Sequence, residues 1–248
     1  MTATPLSAVV ITRNEAANIA RCIQSLRQVT ADIVVVDSGS TDRTREIAEE
    51  MGARVFHRDW TGYADQKNFG NEKALHDYIL SIDADECLSF ELAFQIQEAM
   101  KQPEAAVYEM DFLTSWGDHF IRHGGWVPDR HCRLFDKRRI RWVSEGVHEY
   151  LALDGHIPQK IEGYVFHYTA ANKQSYREKM NRYAREFAEA RSNARRYSPF
   201  WKKYTSAGFR FLRDYVFKRG FLEGRAGWEI ACEEARYTWL KYRWSEKP

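Results

Sequence analysis

Three apolar runs, each closing on a polar or acidic residue, constrain this chain more than any other feature. They are LSAVVIT (6–12), DIVVVD (32–37) and YILSID (78–83). Apolar runs of this length, bounded by turn-forming residues, read as buried strands. The stretches between them have helical spacing. EAANIARCIQSLRQV (15–29) places Ile19, Cys22, Ile23 and Leu26 on one face. DRTREIAEEMG has Ser40 or Thr41 before it as a cap and Gly52 as a stop. ARVFHR (53–58) predicts another strand and ADQKNFGNEKAL (64–75) another helix, while Ser89 is placed to cap a helix over 90–101. Strands alternating with helices of this length predict a parallel sheet with right-handed crossovers.

Ligands of such sheets gather at the carboxyl ends of the strands. Those ends carry Thr12-Arg13-Asn14-Glu15, Asp37-Ser38-Gly39-Ser40 and Asp83-Ala84-Asp85, so residues distant in sequence are expected along one edge. From about 105 to 170 the pattern changes to shorter strands joined by loops. AAVYEMDFL, HFIRHG, HCRLFD, RIRWV and GYVFHYT are the candidates. After Asn172 the chain reads as helical to its end, with Pro199, Gly208 and Gly220 dividing it into three helices. The expected division is therefore an α/β domain over 1–171 and a helical extension over 172–248.

Charge separates the same two parts. Residues 1–172 carry 18 Lys and Arg against 26 Asp and Glu, a net of −8, and residues 173–248 carry 19 against 9, a net of +10. The second part also holds 17 of the 35 aromatic residues. The four cysteines are scattered, with neither a CxxC pair nor zinc-ribbon spacing, which fits reduced thiols in a cytoplasmic protein. No run approaches the roughly 18 apolar residues of a membrane span. Leu6–Ile11 is too short, and lacks the basic leader, for a secretory signal.

Asp83 and Asp85, one residue apart after a buried strand, repel each other unless a cation intervenes. Hard divalent cations favour oxygen ligands and bridge carboxylates to phosphates, so the pair suggests a metal-bound diphosphate. A solvated acidic turn is the competing reading. In VVDSGSTD (35–42), Asp37 is placed to accept from a base or ribose, and Ser38-Gly39-Ser40 allows close backbone approach. Helix capping accounts for Thr41 or Asp42 but leaves Asp37 unexplained.

Taken together, VVITRNEAANIARCIQSL, DIVVVDSGSTDRTREIA, ADQKNFG and ILSIDADE resemble the family 2 glycosyltransferases, over roughly residues 6–170. RLFDKRRIRWVSEGVHEYL, and FHYTA followed by Lys179 and Tyr183, resemble in particular the bacterial lipopolysaccharide inner-core β-1,4-glucosyltransferases that act on heptose. The resemblance implies a GT-A fold, a Rossmann-like mixed and mainly parallel sheet with flanking helices, and inverting transfer from a nucleotide-diphosphate sugar such as UDP-glucose. It implies that Thr12, Asn14, Glu15 and Asp37 hold the nucleoside, and that Gln66, Lys67 and Asn68 line the donor site. Asp83 then contacts ribose and metal, Asp85 ligates Mg²⁺ or Mn²⁺, and His167 is a further candidate ligand.

Inversion requires a general base for the acceptor hydroxyl. Relatives carry an acidic pair where this chain has His148-Glu149, which favours Glu149, with Glu145 as the second candidate. Arg130, Arg133 and His148 are candidate contacts for an acceptor rich in phosphate and carboxylate, since guanidinium forks match such groups. Trp116, Trp126 and Trp142 suit sugar stacking or plain packing.

The mixed basic and aromatic stretch over 198–228 suits a helix on an anionic membrane surface, or apolar faces packed on the catalytic domain with solvated charges. No nucleic-acid-binding module accompanies it. The expected partners are a nucleotide-sugar donor and a lipid-linked saccharide acceptor, met peripherally at the inner face of the cytoplasmic membrane. Two other classes compete. A sugar-1-phosphate nucleotidyltransferase calls for a glycine-rich loop after the first strand, where TRNEAANI has no glycine. A non-catalytic nucleotide-sugar-binding or membrane-associated scaffold calls for a degenerate site, against which the intact Asp37, Lys67, Asp83 and Asp85 argue.

Overall fold

The computed structural model describes residues 5–145, 148–168, 173–194 and 197–246, apart from the side chains of His148 and Ser175. The chain forms two compact units, one of residues 1–112 and 129–167, the other of residues 113–128 and 168–248.

The first unit is built on the expected alternation. Strands β1 (Leu6–Thr12), β2 (Asp32–Asp37), β3 (Arg54–His57) and β4 (Tyr78–Asp83) alternate with helices α1 (Ile19–Leu26), α2 (Thr44–Glu50) and α3 (Tyr63–Lys73). Then come β5 (Glu86–Leu88), α4 (Phe90–Lys101), β6 (Val107–Trp116), β8 (Arg130–Asp136), β9 (Arg141–Glu145), β10 (His148–Ala152) and β11 (Gln159–His167), with β7 (His119–Phe120) between β6 and β8 in the chain. The main sheet runs β3-β2-β1-β4-β8-β6-β11-β5, and β9 and β10 make a separate antiparallel pair. The four strands from β3 to β4 are parallel. β8 joins antiparallel at β4, and β5 pairs antiparallel with β11.

Strand alternation divides the core. Ala8, Val10, Ile33, Val35, Leu80 and Ile82 face α1 and α4, whose Ile19, Ile23, Leu26, Leu92 and Ile96 are buried with them. Val9, Val34, Val36 and Ile79 face the other way, with Phe135, Trp142 and Leu151. α3 packs on that second face, and its Gly70 makes the close approach possible. A Cβ there would stand 2.4 Å from Val9 Cγ1 and 3.0 Å from Val36 Cγ2.

Several sequence expectations are adjusted. The first helix begins at Ile19, not at residue 15, because Glu15 closes a turn in which the N–H groups of Asn18 and Ile19 both donate to its carbonyl, each at 2.9 Å. Ser40 and Thr41 do not cap α2. They bind the neighbouring loop, and Asp42 Oδ1 accepts from Thr44 N–H at 3.0 Å instead. HFIRHG contributes only the two residues of β7, while β5 and β10 were not foreseen. Ser89 caps α4 as expected, accepting from Leu92 N–H at 3.1 Å.

The second unit holds the outer part of β6, β7, and the helices α5 (Lys173–Asn193), α6 (Lys202–Leu212) and α7 (Gly224–Arg243). A π-helical turn (Arg213–Phe217) and a 3-10 turn (Gly220–Glu223) connect α6 to α7. Gly208 lies inside α6 and breaks nothing. The unit's small core gathers Trp116, Ile121 and Ile230 with Trp126 and Tyr176.

Candidate active site

The register of the parallel strands places the site. Thr12 is opposite Asp37 and Ile11 opposite Asp83, so three strand ends terminate at one level. The loops that follow are tied together. Asn14 takes the left-handed conformation (φ 58), its N–H donates to Ser40 Oγ at 2.9 Å, and its Oδ1 accepts from Thr41 N–H at 2.8 Å. The Glu15 N–H donates to Thr44 Oγ1 at 2.8 Å. Asp37 Oδ2 accepts from the N–H groups of Gly39 and Ser40, each at 3.0 Å.

Two atoms in this corner have unmet hydrogen-bonding capacity. Thr12 Oγ1 and Asp37 Oδ1 are buried and have no hydrogen-bond partner among the described residues. Buried polar atoms are nearly always paired in native proteins, so two orphans at adjacent strand ends mark a place for a polar ligand.

Beyond β4 lies a charged cluster. The Arg133 guanidinium, from β8, donates to Asp83 Oδ2 at 3.1 Å and to Glu86 Oε1 at 2.9 Å. Glu86 Oε2 accepts the Asp83 N–H at 2.9 Å. Lys67, from α3, has a side chain only 2% exposed, with Nζ 3.4 Å from Asp83 Oδ1 and 3.4 Å from Glu149 Oε1. The same ammonium lies 4.4 Å from the centre of the Trp142 ring. On the far side of the DAD sequence, His167 Nε2 is 3.3 Å from Asp85 Oδ2.

The electrostatics follow from these pairs. Burial pushes the Asp83 carboxyl up, but Arg133 and Lys67 outweigh it and hold the group at about 2. Burial raises Glu86, and the charge of Asp83 adds to that against the pull of Arg133. Burial opposes the His167 imidazolium, yet the bond to Asp85 prevails and raises its pKa. Glu15 is raised by burial, with the charges of Asp85 and Asp42 contributing. Asp83 is therefore an anion under any ordinary condition, and Lys67 links it to a second carboxylate.

A cleft of about 470 Å³ opens beside the cluster, lined by Arg130, Arg133, Trp142, Glu149 and Tyr150 among others. It is large enough for a sugar ring, and Glu149 stands in its wall.

The structure thus brings Thr12, Asp37, Lys67, Asp83, Arg133 and Glu149 into one region, with Asp85 and His167 beside it. Gln66 and Asn68 also hold local structure, and Gln66 Oε1 is buried with no hydrogen-bond partner among the described residues. The Gln66 amide donates to the Arg58 and Asp59 carbonyls at 3.2 and 2.7 Å, fixing the loop before α3. Asn68 exchanges two hydrogen bonds with the Trp142 backbone and so fastens β9 to α3. Glu145 is exposed at the end of β9, opposite His148 in the ladder. The His148 side chain lies outside the described residues. Arg130 donates to Asp111 at 2.8 Å at the cleft's rim. Arg133, expected to meet an acceptor, binds Asp83 and Glu86 and also lines the cleft.

Sequence reasoning gave Glu86 no role, and a lone acid behind a DxD offers no signal for one. Trp142 is buried and serves as a platform for Lys67. Among the described residues no three His, Cys, Asp or Glu side chains form a metal cage on their own. Asp85 and His167 nonetheless fit as two ligands of a cation whose remaining positions come from elsewhere, as is usual where phosphates share the metal.

A parallel half-sheet with polar strand ends, joined to an antiparallel half with the acidic cluster at the junction, defines the GT-A type of Rossmann-like sugar-transferase fold. The chain belongs to the glycosyl transferase family 2, whose model matches residues 7–152. An uncharacterized glycosyltransferase of Rickettsia typhi is 30% identical over 236 residues, covering 90% of this chain and 80% of that protein. The lipopolysaccharide core biosynthesis glycosyltransferase LpsC of Rhizobium meliloti is 29% identical over 248 residues, covering 95% and 90%. Among solved structures, residues 1–349 of TarS from S. aureus share the fold with a TM-score of 0.51 at 16% identity, covering 73% of this chain and 65% of that one.

Proposed function

We propose that this glycosyltransferase inverts the sugar it moves. The donor is a nucleotide-diphosphate sugar, read as UDP-glucose, and the acceptor a lipid-linked saccharide, read as a heptose of the lipopolysaccharide inner core. The observation that carries the reading is the position of Lys67, whose one buried ammonium stands between Asp83 and Glu149. It couples the place where a diphosphate is expected to the carboxylate best placed to accept a proton. Similarity to LpsC over nearly the whole chain supports the choice of acceptor class.

In this reading Thr12 Oγ1 and Asp37 Oδ1 acquire partners from the nucleoside, which ends their isolation. Asn14 and Glu15 hold the rim of that pocket. Asp85 and His167 would hold Mg²⁺ or Mn²⁺, which supplies Lewis-acid stabilisation of the departing diphosphate when bound. Glu149 takes the proton of the acceptor hydroxyl while its oxygen bonds to the anomeric carbon and the carbon–diphosphate bond breaks. Lys67 keeps Glu149 oriented and offsets the charge of the nearby carboxylates. Arg133 fixes Asp83 and Glu86, so the strand end stays rigid while ligands come and go.

The test is a thermal-shift panel with UDP, GDP, ADP and dTDP, each with Mn²⁺ or with chelator, followed by transfer from the matching sugar nucleotide to lipopolysaccharide truncated at the inner core. A metal-dependent rise with one nucleotide, followed by a β-linked product, is the expected outcome. A product that retains the donor's anomeric configuration would contradict the single displacement.

A further inference from the structure

Helix α6 is built inside out. Lys203 is its one buried residue, and Lys203 Nζ donates to Glu246 Oε1 at 2.7 Å. On the same face Arg210 is half-buried, paired with Asp214 at 2.6 Å and with Glu234 of α7. The opposite face, which a helix of a globular protein normally buries, is apolar and open. Phe209 is 63% exposed and Leu212 51%, and in the turn that follows Phe217 is 72% exposed. Trp201, Val216, Phe221 and Leu222, in the same stretch of chain, are exposed as well. Isolated exposed apolar residues are ordinary, but so many large ones within 201–222 mark a surface that meets something.

The charges around the patch indicate what it meets. Between residues 197 and 225 the acids are Asp214 and Glu223, with side chains 2% and 5% exposed. Both are consumed by internal pairs, Asp214 with Arg210 and Arg213, Glu223 with His119 and His123. The exposed charge of the segment, on Lys218, Arg219 and Arg225, is therefore positive, with Arg225 also paired to Glu229 at 3.0 Å. Aromatic rings pack together in the same region. Phe211 and Tyr215 stack 5.4 Å apart, and both meet the Trp228 ring edge-on at 5.3 and 5.4 Å.

We infer that α6 and the turns after it form a docking face for the surface of an anionic phospholipid bilayer. The apolar face enters the headgroup layer, and Lys218, Arg219 and Arg225 meet the phosphates. An exposed aromatic face with a basic rim and no exposed acid has the chemistry of an interfacial helix. The inference deepens the transfer reading, on which it depends for its reason, since a lipid-linked acceptor is presented at a membrane. The docking face itself uses none of the catalytic residues.

The experiment is vesicle flotation of the full-length protein with phosphatidylcholine alone and with phosphatidylcholine plus phosphatidylglycerol. Binding is expected only to the anionic vesicles and weakens as salt rises. Phe209→Ser, Leu212→Ser and Phe217→Ser together should lower it by more than about tenfold, because the apolar insertion is lost. Arg219→Glu with Arg225→Glu, which leaves the apolar face intact, should also weaken it and serves if the serine variant fails to fold. Equal binding to neutral vesicles, no binding at all, or a concentration-dependent dimer that the serine variant abolishes would each overturn the inference. Nucleotide thermal shifts measured on the same samples report on the transfer reading separately, so either reading can fail while the other stands.

Discussion

Lys67 Nζ stands 3.4 Å from Glu149 Oε1, although 82 residues separate them in the chain. α3 supplies one and the β9–β10 hairpin the other, and Asn68 locks the two elements together through the Trp142 backbone. The pair is buried well enough that its removal has consequences for both folding and chemistry.

Lys67→Met should remove the cation shared by Asp83 and Glu149. Breaking a buried ion pair from one side costs on the order of 3 kcal/mol. Arg133 still partners Asp83, so the folded state should survive at reduced Tm. Transfer should fall about a hundredfold as Glu149 loses its anchor. Urea denaturation and kcat/KM on the same preparation measure both effects.

Glu149→Gln should leave nucleotide affinity unchanged and lower kcat by roughly 10²–10⁴-fold, the range for loss of a general base. Glu145→Gln is the control and should retain near-normal turnover, because that side chain is exposed at the end of β9. A reversal of these two results would transfer the role to Glu145.

Asp85→Asn and His167→Ala should each raise the Mn²⁺ concentration needed for nucleotide-induced stabilisation, by about tenfold or more. Chelator should abolish the shift in the wild-type protein. Stability without nucleotide should change little, since both side chains are partly exposed and pair with each other.

Gly70→Ala tests the seating of α3. The added methyl would press on Val9 and Val36 from inside a packed layer, and overpacking of this kind costs about 1–3 kcal/mol. The helix can relieve the clash only by moving off the sheet, which displaces Lys67. A lower Tm together with lower activity is expected, whereas lower stability with full activity would show that the helix yields elsewhere.

Asp32 gives the pH dependence its sign. Burial pushes its carboxyl up, but the hydroxyl of Ser7, the Leu75 N–H at 2.8 Å and the Arg54 guanidinium at 2.6 Å outweigh that and lower it. A carboxyl depressed in the folded state contributes fully above its unfolded pKa of about 3.9 and loses that contribution as pH falls through the folded value. Wild type should therefore lose stability below about pH 4. Asp32→Asn should be less stable than wild type at neutral pH, and the gap should narrow in acid.

Apart from the short β5, the order of strands and helices through residue 101 follows from the sequence alone, because apolar periodicity is local and a parallel sheet aligns its strand ends by construction. Thr12, Asp37 and Asp83 could be placed on one edge for that reason. Local pattern is also why Ser89 was legible as a cap and Gly208 was misread as a break. A glycine signals conformational freedom but does not show whether the chain uses it. The partners of charged side chains were not legible. Arg133 meets Asp83 across 50 residues and Glu86 across 47, and Lys67 meets Glu149 across 82. No spacing rule reaches so far, since an ion pair forms only where packing brings two side chains within a few ångströms. The inverted face of α6 has the same origin. The sequence shows an amphipathic helix, and only the tertiary structure decides that Lys203, Arg210 and Asp214 turn inward to find partners while the aromatic face is left to solvent.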